Sequence, residues 1–285
     1  MKESILKSLL LKIPGISIIK YLKRETINLF FNIDAIRFQK SLNVRYLGKI
    51  KFKILDFGRI CRMRARTFEN KEPETLEWIN SFNPNDQLLD VGANLGIYTL
   101  FAASQGLKVI AIEPESLNYS MLNLNIRFNN FNSLIKAFCI SFHDKNNVDY
   151  LNISSSLSDW GAAQNNFSNK LDWTGKRTFN PIYSQGSVGL SIDYFLQNIS
   201  EEINHLKVDV DGNEFLIMKG AKELLSSNQL KTILIELVDG RDDYQDTVNY
   251  IKSFNFKLVY KGHAPMYDSG RFSDVYNHIF EKIKE

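Results

Sequence analysis

A short glycine-bearing turn between two apolar segments constrains the fold of this chain more than any other feature. The apolar run Gln87–Val91 leads directly into Gly92 and Gly96, and an amphipathic segment follows over Ile97–Ser104. A strand, a tight turn and a helix in this order begin a Rossmann-like unit. Glycine tolerates the backbone angles of such a turn and leaves room for a ligand close to the main chain. The segment therefore predicts an α/β fold with a ligand at the end of this strand.

The spacing within the turn bears on which ligand it holds. A dinucleotide fingerprint, G-x-G-x-x-G, places its second glycine beside the pyrophosphate, whereas Asn94 stands at that position here. Asp90, directly before the turn, would repel a phosphate, so a cofactor with a cationic amino-acid end and no phosphate, such as S-adenosylmethionine (SAM), fits better. Glu113, about twenty residues beyond the first glycine, can accept both ribose hydroxyls, but an NAD site has the same feature. A nicotinamide-dependent oxidoreductase is therefore the competing enzyme class, and Gly92 with Gly96 could also serve strand–helix packing alone.

Apolar runs and helical periodicity alternate along the rest of the chain and predict a doubly wound, mostly parallel sheet. The predicted strands are residues 87–91, 108–112, 134–140, 148–153, 206–210, 232–237, 257–261 and 275–280. The predicted helices are residues 72–82, 97–104, 116–128, 214–225 and 244–254. Residues 152–189 are rich in Ser, Asn and Gly and predict a long loop, either a substrate wall or a flexible insertion.

The N-terminal segment differs in charge from the rest of the chain. Its first 53 residues contain twelve Lys or Arg against three acidic residues, while the whole chain has a net charge of only +3. No run reaches the roughly twenty apolar residues of a spanning helix. We expect residues 1–70 to be a basic, mainly helical extension with a short strand or hairpin, and 71–285 to be the α/β domain. The extension would either rest on an anionic membrane surface or pack on the domain with its lysines in solvent.

The two cysteines, Cys61 and Cys139, lie far apart in the sequence and form no disulfide framework. A reducing compartment is the simpler interpretation. We therefore expect a cytoplasmic protein, peripheral to the inner face of the membrane if the basic segment binds lipid.

Acidic residues stand at the ends of three predicted strands, where such a sheet binds its ligands. They are Glu113, the pair Asp209 and Asp211, and Glu236. In an extended strand the pair faces one side, and the following turn can return Glu214 to it. Such carboxylates can hold Mg²⁺, or one can act as a general base. Alternatively Glu214 lies in the first helical turn, near the positive end of the helix dipole, and Asp209 alone is functional.

Other side chains near these carboxylates also enter the interpretation. Lys207 lies on the same face as the pair and would favour its ionised form. His143, His205 and His263 are alternative bases, although a lone histidine is more often a surface or core residue.

Several separated motifs together resemble the FkbM-type family of SAM-dependent methyltransferases. They read LDVGANLGIY at 89–98, IEP at 112–114, SID at 191–193, KVDVDGNE at 207–214, KGA at 219–221 and IEL at 235–237, with Asn125 and Asn129 between them. The resemblance covers about residues 72–237 with a weaker tail to 280. In the family the motif after the fourth strand usually reads Asp-Val-Glu-Gly-Ala-Glu, so Asp211 and Asn213 depart from it here.

The resemblance implies a class I methyltransferase domain over 71–285 that transfers a methyl group from SAM to an oxygen, commonly of a sugar or natural-product hydroxyl. It implies that Asp209 lies between the cofactor and the acceptor, with Asp209 or Asp211 as the base. The cofactor residues carried over are Asp90, Gly92, Asn94 and Gly96 at the methionine end, Glu113 at the ribose, Ser141, within 139–141, at the adenine, and Asp209 beside the acceptor. Mg²⁺ is a conceivable second cofactor, held by Asp209, Asp211 and Glu214.

The expected partner is a small-molecule or glycan acceptor, and the oligomeric state stays open. No base-reading motif indicates a nucleic-acid partner. A non-enzymatic alternative is a membrane-surface binding protein with a vestigial methyltransferase fold.

Overall fold

The structure, a computed structural model, describes residues 40–154 and 160–283. Its strands are β1 (Ser41–Tyr46), β2 (Lys49–Leu55), β3 (Gln87–Val91), β4 (Lys108–Ile112), β5 (Ile135–Phe138), β6 (Ser141–Phe142), β7 (Asn147–Ile153), β8 (Asn166–Phe167), β9 (Tyr183–Leu190), β10 (His205–Val208), β11 (Thr232–Val238), β12 (Phe256–Gly262) and β13 (Val275–Lys282). Its α-helices are α1 (Arg59–Lys71), α2 (Pro73–Asn80), α3 (Ile97–Ser104), α4 (Ser116–Phe128), α5 (Ile192–Ile199), α6 (Glu214–Lys219), α7 (Lys222–Ser226) and α8 (Tyr244–Lys252).

The central sheet has the strand order β12-β13-β11-β10-β3-β4-β5. The neighbouring strands β11, β10, β3, β4 and β5 are parallel, and β13 is antiparallel to both of its neighbours, β12 and β11. Side chains that alternate along β3 enter two different core clusters, Leu88 with α3 and α4 on one face and Leu89 with α5 to α8 on the other. A strand covered on both faces reads as a continuous apolar run. The predicted doubly wound, Rossmann-like sheet is confirmed.

The register of the central strands places three predicted residues at one level. Val208, the last residue of β10, pairs with Val91 on one side and with Ile235 on the other. The next residues along these strands are Asp209, Gly92 and Glu236, so the turn and two of the acidic residues lie side by side at the carboxyl edge of the sheet.

The prediction that residues 152–189 form a loop is wrong in part. This segment contains β8, and its last residues belong to β9, which pairs antiparallel with β7. A small cluster of Leu151, Ile153 and Phe167 lies beneath this second sheet. Because β9 itself consists mostly of small and polar residues, its sequence carries no apolar alternation, and its partner strand supplies the buried side chains.

The predicted domain boundary at 70/71 also needs correction. The compact unit begins at Ser41, and the hairpin of β1 and β2 contributes Val44, Phe52 and Ile54 to the same core cluster as Leu88. These apolar residues alternate with lysines on the exposed face of β2, which makes the hairpin look like part of the basic segment. The remainder of the predicted extension, residues 1–39, and the predicted membrane contact lie outside the described residues.

The helix predicted over 214–225 divides into α6 and α7 around Gly220. A Cβ at this position would lie 2.2 Å from the backbone oxygen of His143. The break between α6 and α7 therefore lies where the backbone of Gly220 packs directly against that of His143. Among the described helices, none has the length and apolar character needed to cross a bilayer.

Candidate active site

A cavity of about 450 Å³ opens at the carboxyl edge of the sheet, a size suited to a small-molecule ligand. Predicted site residues from separate segments of the sequence line it: Gly92, Asn94, Glu113, Asp209 and Asp211. The structure therefore brings together most of the residues that the sequence singled out.

Four predicted site residues do not line this cavity. Asp90 is 1% exposed, accepts a hydrogen bond from Thr99, and lies 3.9 Å from the Lys207 ammonium. Gly96 faces α4, where a Cβ would lie 2.6 Å from Leu122. Both residues pack within the core beside the turn and not on the cavity wall. Their direct contact with a cofactor stays a prediction.

The other two are Ser141 and Glu214. Ser141 is buried in the small sheet, with its hydroxyl 3.3 Å from that of Ser187. Glu214 accepts a hydrogen bond from the Gly212 backbone at 3.0 Å, and burial raises its pKa to about 8 although Arg241 lies nearby. This places Glu214 at the start of α6, as the alternative interpretation of the sequence has it, and the adenine role of Ser141 stays a prediction.

The glycine turn is shaped by close backbone packing. Gly92 has φ +87°, and a Cβ there would lie 1.9 Å from the backbone oxygen of Asp209. Asn94 also adopts a left-handed conformation, with φ 53°, which Asn tolerates better than most residues. The chain after β3, at Gly92, and the chain after β10, at Asp209, are therefore in van der Waals contact at the cavity wall.

Glu113 holds this turn in place. One carboxylate oxygen accepts the backbone N–H of Asn94 at 2.7 Å and the other accepts that of Glu115 at 2.9 Å. Burial raises the pKa of Glu113 to about 8, although both N–H groups favour the ionised form. A carboxylate oxygen has more than one lone pair, so each can still accept a ribose hydroxyl.

Residues 160–166, here called the strap, cover one side of the cavity. The side-chain amides of Asn94 and Asn118 donate to the Ala162 carbonyl at 2.9 and 3.0 Å. Asn118 also accepts from the Gly161 backbone at 2.9 Å, and Arg64 donates to the Gly161 carbonyl at 2.9 Å. Neither Asn118 nor Arg64 was predicted, because a single polar residue in a helix carries no periodic signal.

Asp211 fastens the other end of the strap. Its carboxylate accepts the backbone N–H of Gln164, and the Asn166 side chain donates to the Asp211 carbonyl at 3.1 Å. Burial raises the pKa of Asp211 to about 7. Its carboxylate is therefore engaged in holding the chain, which makes a positioning role more consistent with the geometry than that of a free base.

Two ion pairs and one further carboxyl group form the floor of the cavity. Lys207 donates to Asp209 at 2.7 Å, and Lys71 donates to Glu72 at 2.5 Å. Burial opposes the ionisation of Glu72, but Lys71 and Lys207 outweigh it and lower its pKa to about 2. Glu236 is the additional carboxyl group, and burial, with Asp209 and Glu72 nearby, raises its pKa well above the usual value.

The carboxylates that converge are not the predicted metal trio. Glu72, Asp209 and Glu236 each offer an oxygen within 4.8 Å of the other two, whereas in the described residues Asp211 and Glu214 are bound elsewhere. Mg²⁺ prefers octahedral oxygen coordination, but Glu72 and Asp209 already have ammonium partners. The converging carboxylates Glu72, Asp209 and Glu236 therefore do not fit the predicted Mg²⁺ site.

Of the histidines proposed as alternative bases, His263 lines the cavity. His143 and His205 are buried elsewhere, at 7% and 4% exposure. His205 stacks on Phe82 and lies 3.0 Å from Asp86, which is a structural arrangement within the core.

Comparison with known families gives one match: residues 90–258 match the family model described as "Methyltransferase FkbM domain". No curated protein matches the sequence.

Three of the solved structures with a similar fold are all distant. TrmK of M. capricolum, in complex with S-adenosyl-homocysteine, is 9% identical over 74% of this chain and 68% of its own, with a TM-score of 0.41. Precorrin-6y C5,15-methyltransferase of Geobacter metallireducens is 10% identical over 74% and 86%, with a TM-score of 0.43. A TehB-like SAM-dependent methyltransferase of Corynebacterium glutamicum is 12% identical over 73% and 87%, with a TM-score of 0.38.

Proposed function

Because this chain belongs to the methyltransferase FkbM domain family, we propose that it transfers the methyl group of SAM to a hydroxyl oxygen of a sugar, a glycan or a related metabolite. The observation that carries the proposal is the convergence of Gly92, Asn94, Glu113 and Asp209 on one cavity. These residues come from three neighbouring strand ends, where a doubly wound sheet binds its ligand.

The charge of the cavity supports SAM over a dinucleotide. Seven acidic side chains line it, against the two basic ones of Arg64 and Lys71. A cationic ligand favours the ionised form of those carboxyl groups whose pKa is raised by burial, such as Glu113, whereas a pyrophosphate opposes it. The wall therefore favours a ligand with a sulfonium and an ammonium group. Glu113 would accept the ribose hydroxyls, and the turn at Gly92 would lie along the methionine end.

The protein's contribution to methyl transfer is alignment and the handling of one proton. When bound, SAM supplies the activated methyl group. Because charge is dispersed in the displacement, the enzyme chiefly has to place the acceptor oxygen in line and accept its proton. We assign Asp209, held by Lys207, to orient the acceptor hydroxyl, and Asp211 to hold the strap over the site.

The rest of the wall supports a polyhydroxylated acceptor. Carboxylates on the floor can accept hydrogen bonds from several hydroxyl groups. Met63, Met266, Tyr267 and Phe272 line the cavity as well, and they offer apolar surface to the C–H face of a ring. A sugar presents both kinds of surface.

Calorimetry with SAM and with NAD tests the cofactor. We expect the full chain to bind SAM and not NAD, and tight binding of NAD alone would overturn the proposal. A SAM-turnover screen against nucleotide sugars, free glycans and lipid-linked sugars then tests the acceptor, with a mass increase of one methyl group as the readout.

A further inference from the structure

Glu236 occupies an unusual place for an acidic residue. It lies within β11 between Ile235 and Leu237, and it pairs across the sheet with Asn277 of β13. Its carboxyl group lines the cavity. By register it lies beside Asp209, at the end of the neighbouring strand.

The side chain of Glu236 has no hydrogen-bond partner among residues 40–154 and 160–283. Its two neighbours in the cluster differ in this respect, since Asp209 accepts from Lys207 at 2.7 Å and Glu72 accepts from Lys71 at 2.5 Å. Each of these carboxylates is already engaged by a fixed ammonium partner, which occupies one of its oxygens. Of the three, Glu236 alone presents a carboxyl group without such a partner to the cavity.

We propose that Glu236 is the general base of the reaction and removes the proton from the acceptor hydroxyl. The inference rests on the proposed methyl transfer. The role differs from that of Asp209, which orients the same hydroxyl while it remains paired with Lys207.

The step balances in atoms and charge. The acceptor oxygen forms a bond to the methyl carbon as the methyl–sulfur bond breaks, and that electron pair stays on sulfur. The O–H proton passes to a carboxylate oxygen of Glu236. The products are a methyl ether, the neutral thioether of S-adenosylhomocysteine and protonated Glu236, which then releases its proton to water.

The groups around Glu236 set the pH at which it can act. The charged and titratable side chains that face it from the packed elements are Lys71, Glu72, Lys207, Asp209 and Tyr267. Burial and the two carboxylates disfavour its ionised form more than the lysines favour it, so the pKa is raised. A raised pKa makes the carboxylate a stronger base near neutral pH.

Two measurements on the full chain test this assignment. The first is a carbon-13 NMR titration of glutamate side-chain carboxyls in the wild type, in Glu236→Gln and in Glu77→Gln, where Glu77 is an exposed residue of α2. We expect Glu236→Gln to remove a resonance whose midpoint lies well above the usual glutamate pKa of about 4.5. The Glu77→Gln variant is the matched control and should leave that resonance in place.

The second measurement is the pH profile of kcat, with saturating SAM and the acceptor that gives the largest signal in the turnover screen. We expect Glu236→Gln to lower kcat by about 100-fold or more. The decrease of kcat at low pH, here called the acid limb, should also be absent from this variant. Its SAM affinity in calorimetry should stay unchanged, and Glu236→Asp should restore part of the rate. Asp209→Asn should also lower kcat, because it misplaces the hydroxyl, but it should retain the acid limb.

The outcomes separate this inference from the proposed function. If the wild type binds and turns over SAM but Glu236→Gln keeps most of its kcat or its acid limb, the assignment of Glu236 is overturned and the methyltransferase is not. A Glu236 midpoint near 4.5, or one that millimolar MgCl₂ moves down to that value, also overturns it, the latter because the carboxylate then binds a cation. If the wild type neither binds nor turns over SAM, both proposals fail.

Discussion

Lys207 donates to Asp209 over 2.7 Å from a position in which only 1% of the lysine side chain is exposed, while 27% of the aspartate side chain is exposed. The ammonium thus lies in the core and the carboxylate at the cavity. The same ammonium lies 3.9 Å from the buried carboxylate of Asp90. Asp90, directly before the glycine turn, is in this way connected to the residue proposed to orient the acceptor.

Replacing Lys207 with methionine should strongly destabilise the protein. The change leaves Asp90 without its nearest cation in the core, and breaking a buried pair in this way costs roughly 3–5 kcal/mol. Urea denaturation measures the free energy of unfolding. Lys108→Met, at an exposed position of β4, is the control and should change it by less than about 0.5 kcal/mol. A Lys207→Met variant as stable as the control would contradict the pairing.

Gly92→Ala should abolish SAM binding or prevent folding. The added Cβ would meet the Asp209 backbone oxygen at 1.9 Å, in a turn with φ +87°. Gly106→Ala is a matched control, because its φ is +88° and nothing lies within 4 Å of the added Cβ. The control isolates the cost of the left-handed conformation, about 1–2 kcal/mol. Thermal unfolding and SAM calorimetry distinguish the two variants, and equal behaviour would show that the close approach at Gly92 is unimportant.

SAM binding at pH 7 should release a proton from Glu113. Burial raises the pKa of this group to about 8 in the free protein, so it is mainly protonated at pH 7. Ribose hydroxyls that donate to the carboxylate favour its ionised form, and binding therefore lowers the pKa. It follows that affinity should rise as the pH is raised toward 8 and then level off.

Calorimetry in buffers of different ionisation enthalpy measures the proton released in this process. Glu113→Gln should bind SAM more weakly and release no proton, whereas release that persists in the variant would assign the proton to another group.

The predicted membrane contact of the basic N-terminal segment can be tested by liposome flotation. The experiment compares the full chain with a version that begins at residue 41, where the compact unit starts. A start near residue 71 would remove core residues of the hairpin such as Val44 and Phe52. We expect only the full chain to float with anionic vesicles, and less so at high salt, because surface charges are screened. Equal behaviour of both versions would remove the membrane proposal.

The elements predicted most accurately are those with a strong apolar period. The bounds of β3, α3, β4 and α4 agree with the sequence-based ones, because these segments bury one continuous face or both. The strap carries no such period. Its position depends on hydrogen bonds donated by Asn94 and Asn118 and accepted by Asp211, and these residues come from distant parts of the chain.

The floor of the cavity shows the same limit. Asp209 and Glu236 stand out in the sequence as acidic strand ends, but their contact depends on β10 lying beside β11. Glu72 joins them from the junction between α1 and α2, and no local pattern signals that approach. The sequence therefore predicts Asp209 and Glu236 as site residues but not Glu72, and only the three-dimensional structure brings the three together.

Asp211 should control how firmly the strap is held. Its carboxylate accepts the Gln164 backbone N–H, so Asp211→Ala leaves that donor without its partner and favours local opening. Hydrogen exchange followed by mass spectrometry should show faster exchange, by about tenfold for a loss of 1.4 kcal/mol, in peptides covering 160–166. Asp211→Asn retains an acceptor oxygen and should give an intermediate rate. Asp246→Ala, at an exposed position of α8, should leave the strap unchanged. If Asp211→Ala matches this control in exchange but loses methyl transfer, then Asp211 acts in the chemistry itself and the positioning role is wrong.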